Sequence, residues 1–149
     1  MAVQQIPPPE AQALMEKDPQ VVYLDVRTVP EFAAGHPQRA LNIPVVFFDA
    51  AHRPVPNPDF LKVVEANVAK DAQIIVGCQA GMRSQRAADI LAQAGYTKVA
   101  NMQGGFGGGR DQAGRVVVPG WQECGLPVST DNGEGVSYAS LAAKAGVNV

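Results

Sequence analysis

Residues 74–84 read Ile74-Ile75-Val76-Gly77-Cys78-Gln79-Ala80-Gly81-Met82-Arg83-Ser84, an apolar run followed by a cysteine and a glycine-containing turn. The apolar run predicts a buried strand, and apolar residues at helical spacing from Ser84 to Ala94 predict a helix that Gly95 stops. A strand-to-helix turn can direct backbone N–H groups at one point, beside the positive end of the helix dipole. We therefore expect this turn to stabilise Cys78 as a thiolate, the nucleophilic form of cysteine.

Strand and helix patterns alternate on both sides of this segment. Apolar runs predict strands over 21–26, 41–46, 73–76 and 99–102, and helical spacing predicts helices over 10–17, 57–70 and 84–94. This alternation indicates an α/β fold in which helices cover both faces of a parallel sheet. Sites in such folds lie at the carboxyl ends of the strands, which is where Cys78 is found.

Composition limits the classes of protein to consider. The 149 residues, 46% of them hydrophobic, suffice for one core, and 12 basic against 14 acidic residues offer no basic patch for nucleic acid. The first residues lack a signal-peptide pattern and no segment is long and apolar enough for a membrane span, so we expect a cytoplasmic protein without a membrane partner. Cys78 and Cys124 belong to no metal-binding cluster, which predicts free thiols and neither metal nor cofactor.

The chain changes character towards its end. Five glycines around Phe106 predict a loop, and after Pro127 the composition turns polar. We predict a single domain over residues 1–128, followed over residues 129–149 by a polar linker and a short C-terminal helix or tail.

Several segments, in order, resemble the rhodanese domain, and the resemblance extends from Val3 to Pro127. They are Leu24-Asp25-Val26-Arg27, Glu31-Phe32, Gly35-His36, Ala40-Leu41-Asn42-Ile43-Pro44, the turn from Cys78 to Ser84, Gly104-Gly105-Phe106 and Trp121. The chain is most similar to single-domain thiosulfate sulfurtransferases. This resemblance implies a rhodanese-like, five-stranded parallel sheet with residues 3–6 as an edge strand, and it places the family nucleophile on Cys78.

The resemblance also implies a reaction. The Cys78 thiolate attacks the outer sulfur of thiosulfate, sulfite leaves, and a thiol or cyanide then takes the sulfur from the resulting persulfide. The expected partners are a small-molecule sulfur donor and acceptor, with a protein as a further possible acceptor. The turn residues are expected to hold the anionic sulfur through charge-assisted hydrogen bonds; they are Gln79, Ala80, Gly81, Met82, Arg83 and Ser84.

Charged residues outside the turn are expected to support it. Arg83 has two possible roles, which are to grip the anionic end of the donor or to brace the turn against a carboxylate such as Glu31 or Asp25. Asp25 and Arg27 follow a buried strand and are predicted to form a structural ion pair. Ser84 is predicted to cap the following helix and to hydrogen-bond the sulfur.

The chain departs from the rhodanese pattern between Gly107 and Gly120, where it carries a longer loop with Arg110 and Arg115. One hypothesis is that their positive charge selects anionic donors. The other is that this is a surface loop without such a role. Cys124 is predicted to be a packed free thiol.

Two other functions are compatible with a cysteine in such a turn. Cysteine phosphatases also hold an anion in a backbone loop closed by arginine, but they place five residues between cysteine and arginine, whereas four separate Cys78 from Arg83 here. The narrower loop favours a single sulfur over a tetrahedral phosphate. The second alternative is a non-catalytic or redox-sensing rhodanese module, because an exposed thiolate is easily oxidised.

Overall fold

The structure is a computed structural model that describes residues 3–149. Its strands, in chain order, are β1 (Gln4–Ile6), β2 (Val22–Asp25), β3 (His36–Pro37), β4 (Leu41–Asn42), β5 (Val46–Phe48), β6 (Pro54–Pro56), β7 (Gln73–Gly77), β8 (Lys98–Met102), β9 (Gly109–Arg110), β10 (Val116–Val118) and β11 (Val128–Ser129). Its helices are α1 (Pro8–Lys17), α2 (Val29–Ala34), α3 (Phe60–Asn67), α4 (Met82–Gln93) and α5 (Tyr138–Lys144).

Five parallel strands form the central sheet in the order β1-β8-β7-β2-β4. The register aligns Asp25 of β2 with Gly77 of β7 and with Asn42 of β4. The carboxyl ends of three neighbouring strands therefore meet at one edge, directly beside Cys78. The predicted α/β fold with a five-stranded parallel sheet is confirmed, and β1 forms its edge as expected.

Helices cover both faces of the sheet. One apolar cluster joins β2 and β7 to α3, α4 and α5, with Val64, Leu91 and Leu141 among its buried residues. The other contains Met15 of α1 and Phe32 of α2, both at most 2% exposed. Strands that are buried on both faces read as continuous apolar runs, which is why the sequence pattern identified β2 and β7.

Some element boundaries differ from the sequence prediction. The predicted strand over 41–46 divides, because only Leu41–Asn42 joins the sheet, while Val46–Phe48 pairs antiparallel with Pro54–Pro56. Pro44 separates the two parts and has no N–H to donate to a strand ladder. The helix predicted over 57–70 is shorter and spans Phe60–Asn67.

The last part of the described chain contains the predicted short helix. The Ser137 side chain caps α5 by accepting a hydrogen bond from the Ser140 backbone N–H. Tyr138, Leu141 and Ala142 are buried in the same apolar cluster as α3. None of the helices within residues 3–149 has the length and apolarity needed to cross a membrane.

Candidate functional site

Cys78 lies immediately after β7 and before α4, at the carboxyl edge of the sheet. The Gly81 backbone N–H donates a hydrogen bond to Sγ at 3.0 Å. Gly81 is the N-cap of α4 with φ +110°, a conformation that favours glycine. The sequence predicts several inward-pointing amides between Gln79 and Ser84, but of the turn amides that the structure describes, only that of Gly81 has a hydrogen bond to the sulfur. The residue is 2% exposed, so access to the thiol is narrow.

Ser84 forms the other polar contact of the sulfur. The Cys78 thiol donates to Ser84 Oγ across 3.3 Å, and Ser84 Oγ lies 2.5 Å from Asn101 Oδ1 and 3.2 Å from the Gly81 carbonyl oxygen. Ser84 therefore contacts the sulfur as an acceptor, and a hydrogen bond from Ser84 to an anionic sulfur stays a prediction. The predicted capping role is wrong, because α4 begins at Met82 and its N-cap, Gly81, has no side chain.

Arg83 is braced by Glu31. Its guanidinium donates two hydrogen bonds to the carboxylate, at 2.8 Å and 3.0 Å, the bidentate geometry that makes such pairs strong. The bracing role left open by the sequence is thus the one the geometry favours, with Glu31 as partner. Burial would raise the pKa of Glu31, but hydrogen bonds from Arg83 and Thr28 outweigh it and lower the pKa to about 2. Burial likewise would lower the pKa of Arg83, yet Glu31 raises it.

Asp25 and Arg27 form the predicted ion pair. Arg27 Nη2 lies 2.8 Å from Asp25 Oδ2, and the side chains are 3% and 1% exposed respectively. Arg27 also donates to Gln79 Oε1 at 3.2 Å, and its guanidinium lies 4.5 Å from the centre of the Phe106 ring. The pair therefore connects the end of β2 with the turn that carries Cys78.

A second loop supports that turn. The Phe106 N–H donates to the Cys78 carbonyl at 2.7 Å, and the Gly107 N–H donates to the Gln79 carbonyl at 3.0 Å. A Cβ on Gly105 would lie 2.4 Å from the Cys78 carbonyl oxygen, so only glycine fits this approach. The sequence predicts a loop here and includes Gly104-Gly105-Phe106 in the rhodanese resemblance, but it does not predict this contact, although glycines are the signal of close backbone approach.

Gly77 allows Tyr23 to pack beneath the nucleophile. A Cβ at Gly77 would stand 1.8 Å from the Tyr23 hydroxyl oxygen, so the glycine before Cys78 makes room for this ring. Burial, followed by the charge of Asp25, raises the pKa of Tyr23 well above its ordinary value. Tyr23 therefore stays neutral beside the sulfur. Neither Tyr23 nor Asn101 was singled out from the sequence, where each belongs to a strand pattern.

The remaining candidate residues lie around the rim. Gln79, Ala80 and Met82 are exposed, and Met82, with 84% of its surface accessible, borders an apolar groove with Phe48 and Arg86. Within residues 3–149, no group of three histidine, cysteine or acidic side chains is placed to hold a metal ion.

Arg110 and Arg115 lie on the 107–120 loop, which contains the β9–β10 hairpin. Arg110 donates to the carbonyls of Gly107 and Gly114, and Arg115 pairs with Asp111 at 3.1 Å. Both guanidinium groups thus bind within their own loop, and the donor-selection hypothesis stays a prediction. Cys124 is a partly buried free thiol, as expected.

Comparison with known proteins gives consistent results. The family model of the rhodanese-like domain matches residues 7–111. The chain is 50% identical over 84 residues, 56% of its length, to the protein HIGH ARSENIC CONTENT 1, mitochondrial, of Arabidopsis thaliana, of which it covers 49%. It is 44% identical over 84 residues, again 56% of its length, to thiosulfate sulfurtransferase 16, chloroplastic, of the same plant, of which it covers 69%. The chain spans about half the length of several relatives that it matches.

Among solved structures, the crystal structure of Rv0390 from M. tuberculosis superposes with a TM-score of 0.73 at 25% identity. The superposition covers 88% of this chain and 100% of that one. The sheet and helices described above are therefore shared with an experimentally determined fold.

Proposed function

The chain belongs to the rhodanese-like domain family, and from that premise we propose that it is a sulfurtransferase that carries sulfane sulfur on Cys78. The observation that supports this most directly is the position of the Cys78 sulfur, next to the Gly81 N–H at the start of α4. A family whose members include named thiosulfate sulfurtransferases supports the same class of reaction.

In the first half-reaction, the Cys78 thiolate attacks the outer sulfur of thiosulfate. A new S–S bond forms to Sγ, the S–S bond of thiosulfate breaks, and its electron pair leaves with sulfite. The product on the protein is a persulfide anion. The Gly81 N–H faces Sγ at the start of α4, an arrangement that suits an anionic sulfur nucleophile.

In the second half-reaction, a thiolate or cyanide attacks the terminal sulfur of the persulfide. The S–S bond to Sγ breaks, the acceptor leaves with the sulfur as a persulfide or thiocyanate, and the Cys78 thiolate is regenerated. Two steps through one covalent intermediate predict ping-pong kinetics. The narrow opening at Cys78 favours slender donors such as thiosulfate, while a protein acceptor would have to present its thiol in an extended segment.

Arg83 supports this chemistry chiefly by holding the turn. Its guanidinium is paired with Glu31, so its charge is largely neutralised before a donor arrives. The exposed turn residues Gln79 and Ala80 are then the groups that meet the donor first. The cytoplasmic location expected from the sequence stays a prediction, because two relatives carry mitochondrial and chloroplastic in their names.

Intact-protein mass spectrometry after incubation with thiosulfate tests the proposal. We expect wild type to gain one sulfur atom that cyanide removes as thiocyanate, and Cys78→Ser to gain none. Cys124→Ser is the matched control and should behave as wild type. Absence of the adduct on wild type would refute the proposal. Release of phosphate from a generic aryl phosphate would favour the phosphatase alternative, and oxidation by peroxide without sulfur transfer would favour the sensor.

A further inference from the structure

A chain of side-chain hydrogen bonds runs from the surface of α4 through β1 and β8 to the nucleophile. Each link joins a donor to an acceptor within 3.1 Å. In order, Gln85 Nε2 donates to Asp89 Oδ1, Gln5 Nε2 to Gln85 Oε1, Asn101 Nδ2 to Gln5 Oε1, and Ser84 Oγ to Asn101 Oδ1. The chain ends at Ser84, which touches the sulfur of Cys78.

The donors and acceptors of this chain all point the same way. At its outer end Gln85 turns its NH₂ group towards Asp89, a carboxylate that accepts the hydrogen bond. The oxygen of each amide then faces the NH₂ group of the next, until Asn101 presents Oδ1 to Ser84. Turning any one of these amides over would place two acceptor oxygens next to each other with no hydrogen between them. Asn101 is 4% exposed, so its orientation is fixed by these partners and not by water.

This orientation restricts the hydroxyl of Ser84, which has a single hydrogen. Two of its neighbours, Asn101 Oδ1 and the Gly81 carbonyl, can only accept. While Cys78 is a thiol, every group is satisfied, because the S–H donates to Ser84 and Ser84 donates to Asn101. Once Cys78 loses its proton, the sulfur also becomes an acceptor and competes for the same hydrogen. Turning that hydrogen to the sulfur would leave Asn101 Oδ1 buried without a donor, which is costly.

We propose that Asn101 is a positioning residue that holds the Ser84 hydrogen away from the sulfur and so sets the pH at which Cys78 ionises. It opposes the Gly81 N–H and the α4 dipole, which favour the thiolate. The other charged or titratable groups near the sulfur are Tyr23 and Asp25 on β2, Arg27 after it, and Arg83 on α4 with its partner Glu31. The side-chain hydrogen bonds of Asn101 go to Ser84 and Gln5, so its substitution leaves these groups in place.

The test is the pH dependence of Cys78 alkylation by iodoacetamide in Cys124→Ser protein, with no sulfur donor present. Asn101→Leu removes the competing acceptor at similar volume and frees the hydroxyl to donate to the thiolate. We expect the midpoint of the alkylation curve to fall by roughly one pH unit, the effect of one hydrogen bond to a charged group. Asn101→Asp adds a stronger acceptor and a negative charge, so its midpoint should rise.

Two further variants separate this role from a merely structural one. In a Ser84→Ala background, Asn101→Leu should leave the midpoint unchanged, because Asn101 acts through the Ser84 hydroxyl. Gln5 is exposed, and Gln5→Ala removes the acceptor that orients the Asn101 amide, so this amide can turn over. The alkylation midpoint of Gln5→Ala should therefore also fall. Gln12→Ala on α1 is the control and should have the wild-type midpoint. The proposal is overturned if Asn101→Leu and Gln5→Ala leave the midpoint in place, or if the Asn101→Leu shift persists without Ser84.

This inference deepens the proposed function but is measured independently of it. Alkylation reports the ionisation of Cys78 whether or not the protein transfers sulfur. If the protein shows the expected midpoint shifts but forms no sulfur adduct, only the sulfurtransferase proposal is refuted. If it forms the adduct but the midpoints do not shift, only the role of Asn101 is refuted.

Discussion

At the scale of single residues, the two ion pairs of the site differ in how far the sequence could predict them. Asp25 and Arg27 are two positions apart at the end of a strand, so their pairing follows from local geometry. Glu31 and Arg83 are separated by 52 positions, and the sequence left both Glu31 and Asp25 as partners for Arg83. The register of β2 against β7 and the start of α2 decide between them. Those are properties of the folded chain, and no local pattern contains them.

The Glu31–Arg83 pair makes stability depend on pH. The pKa of Glu31 is lowered from 4.5 to about 2 in the fold, so the carboxylate stabilises the native state above pH 4.5. This contribution is lost as the pH falls from about 4.5 to 2. We therefore expect Glu31→Gln to be less stable than wild type at pH 7 and the difference to shrink towards pH 2. Urea unfolding across this range measures it.

A suitable control is Glu65→Gln, since Glu65 forms an exposed pair with Lys70 and should contribute little at any pH. A difference between Glu31→Gln and wild type that stays constant from pH 7 to pH 2 would contradict the assigned cause.

At the scale of elements, the turn after β7 depends on the loop after β8. The Phe106 and Gly107 N–H groups donate to the carbonyls of Cys78 and Gln79, so hydrogen bonds join the two loops into one unit at the sheet edge. The sequence predicted the strands and helices on either side, because burial on two faces and helical spacing leave local patterns. It did not predict the loop contact or the short β3–β11 pairing, since these join segments distant in sequence by backbone groups that every residue has.

Gly105→Ala tests this unit. Gly105 has φ +58°, and a Cβ there would lie 2.4 Å from the Cys78 carbonyl oxygen, so alanine must displace the turn. We expect stability to fall by about 1–3 kcal/mol, as for other overpacked sites, and Cys78 alkylation at pH 7 to change in rate. Thermal unfolding and alkylation kinetics measure the two effects.

Gly125→Ala is the matched control. Gly125 has a similar φ of +68°, but no atom lies within 4 Å of the Cβ position, so it reports backbone strain alone. If both variants lose the same stability and keep the wild-type alkylation rate, the contact between the two loops does not position Cys78.

At the scale of the whole molecule, the two faces of the sheet are covered by different parts of the chain. The α1 and α2 face also contains Trp121, whose ring lies edge-on to Tyr23 and whose Nε1–H donates to the Pro127 carbonyl. The opposite face is completed by α5, close to the end of the sequence. The sequence predicted a polar linker there because residues 129–135 are polar. The apolar pattern of α5 is too short to show which surface of the domain this helix covers. In the structure α5 packs beside α3, where the Asn67 side chain donates a hydrogen bond to the Leu141 carbonyl at 2.9 Å.

The contribution of α5 to the folded unit can be measured with one substitution. Leu141 is 5% exposed and packs in the core cluster, so Leu141→Ala should lower the free energy of unfolding by about 2–4 kcal/mol. Lys144→Ala, on an exposed position of the same helix, should change it by less than about 0.5 kcal/mol. Urea unfolding at pH 7 measures both. If Leu141→Ala is as stable as wild type, residues 129–149 form a tail outside the cooperative unit, and truncation after residue 128 should then leave the domain folded.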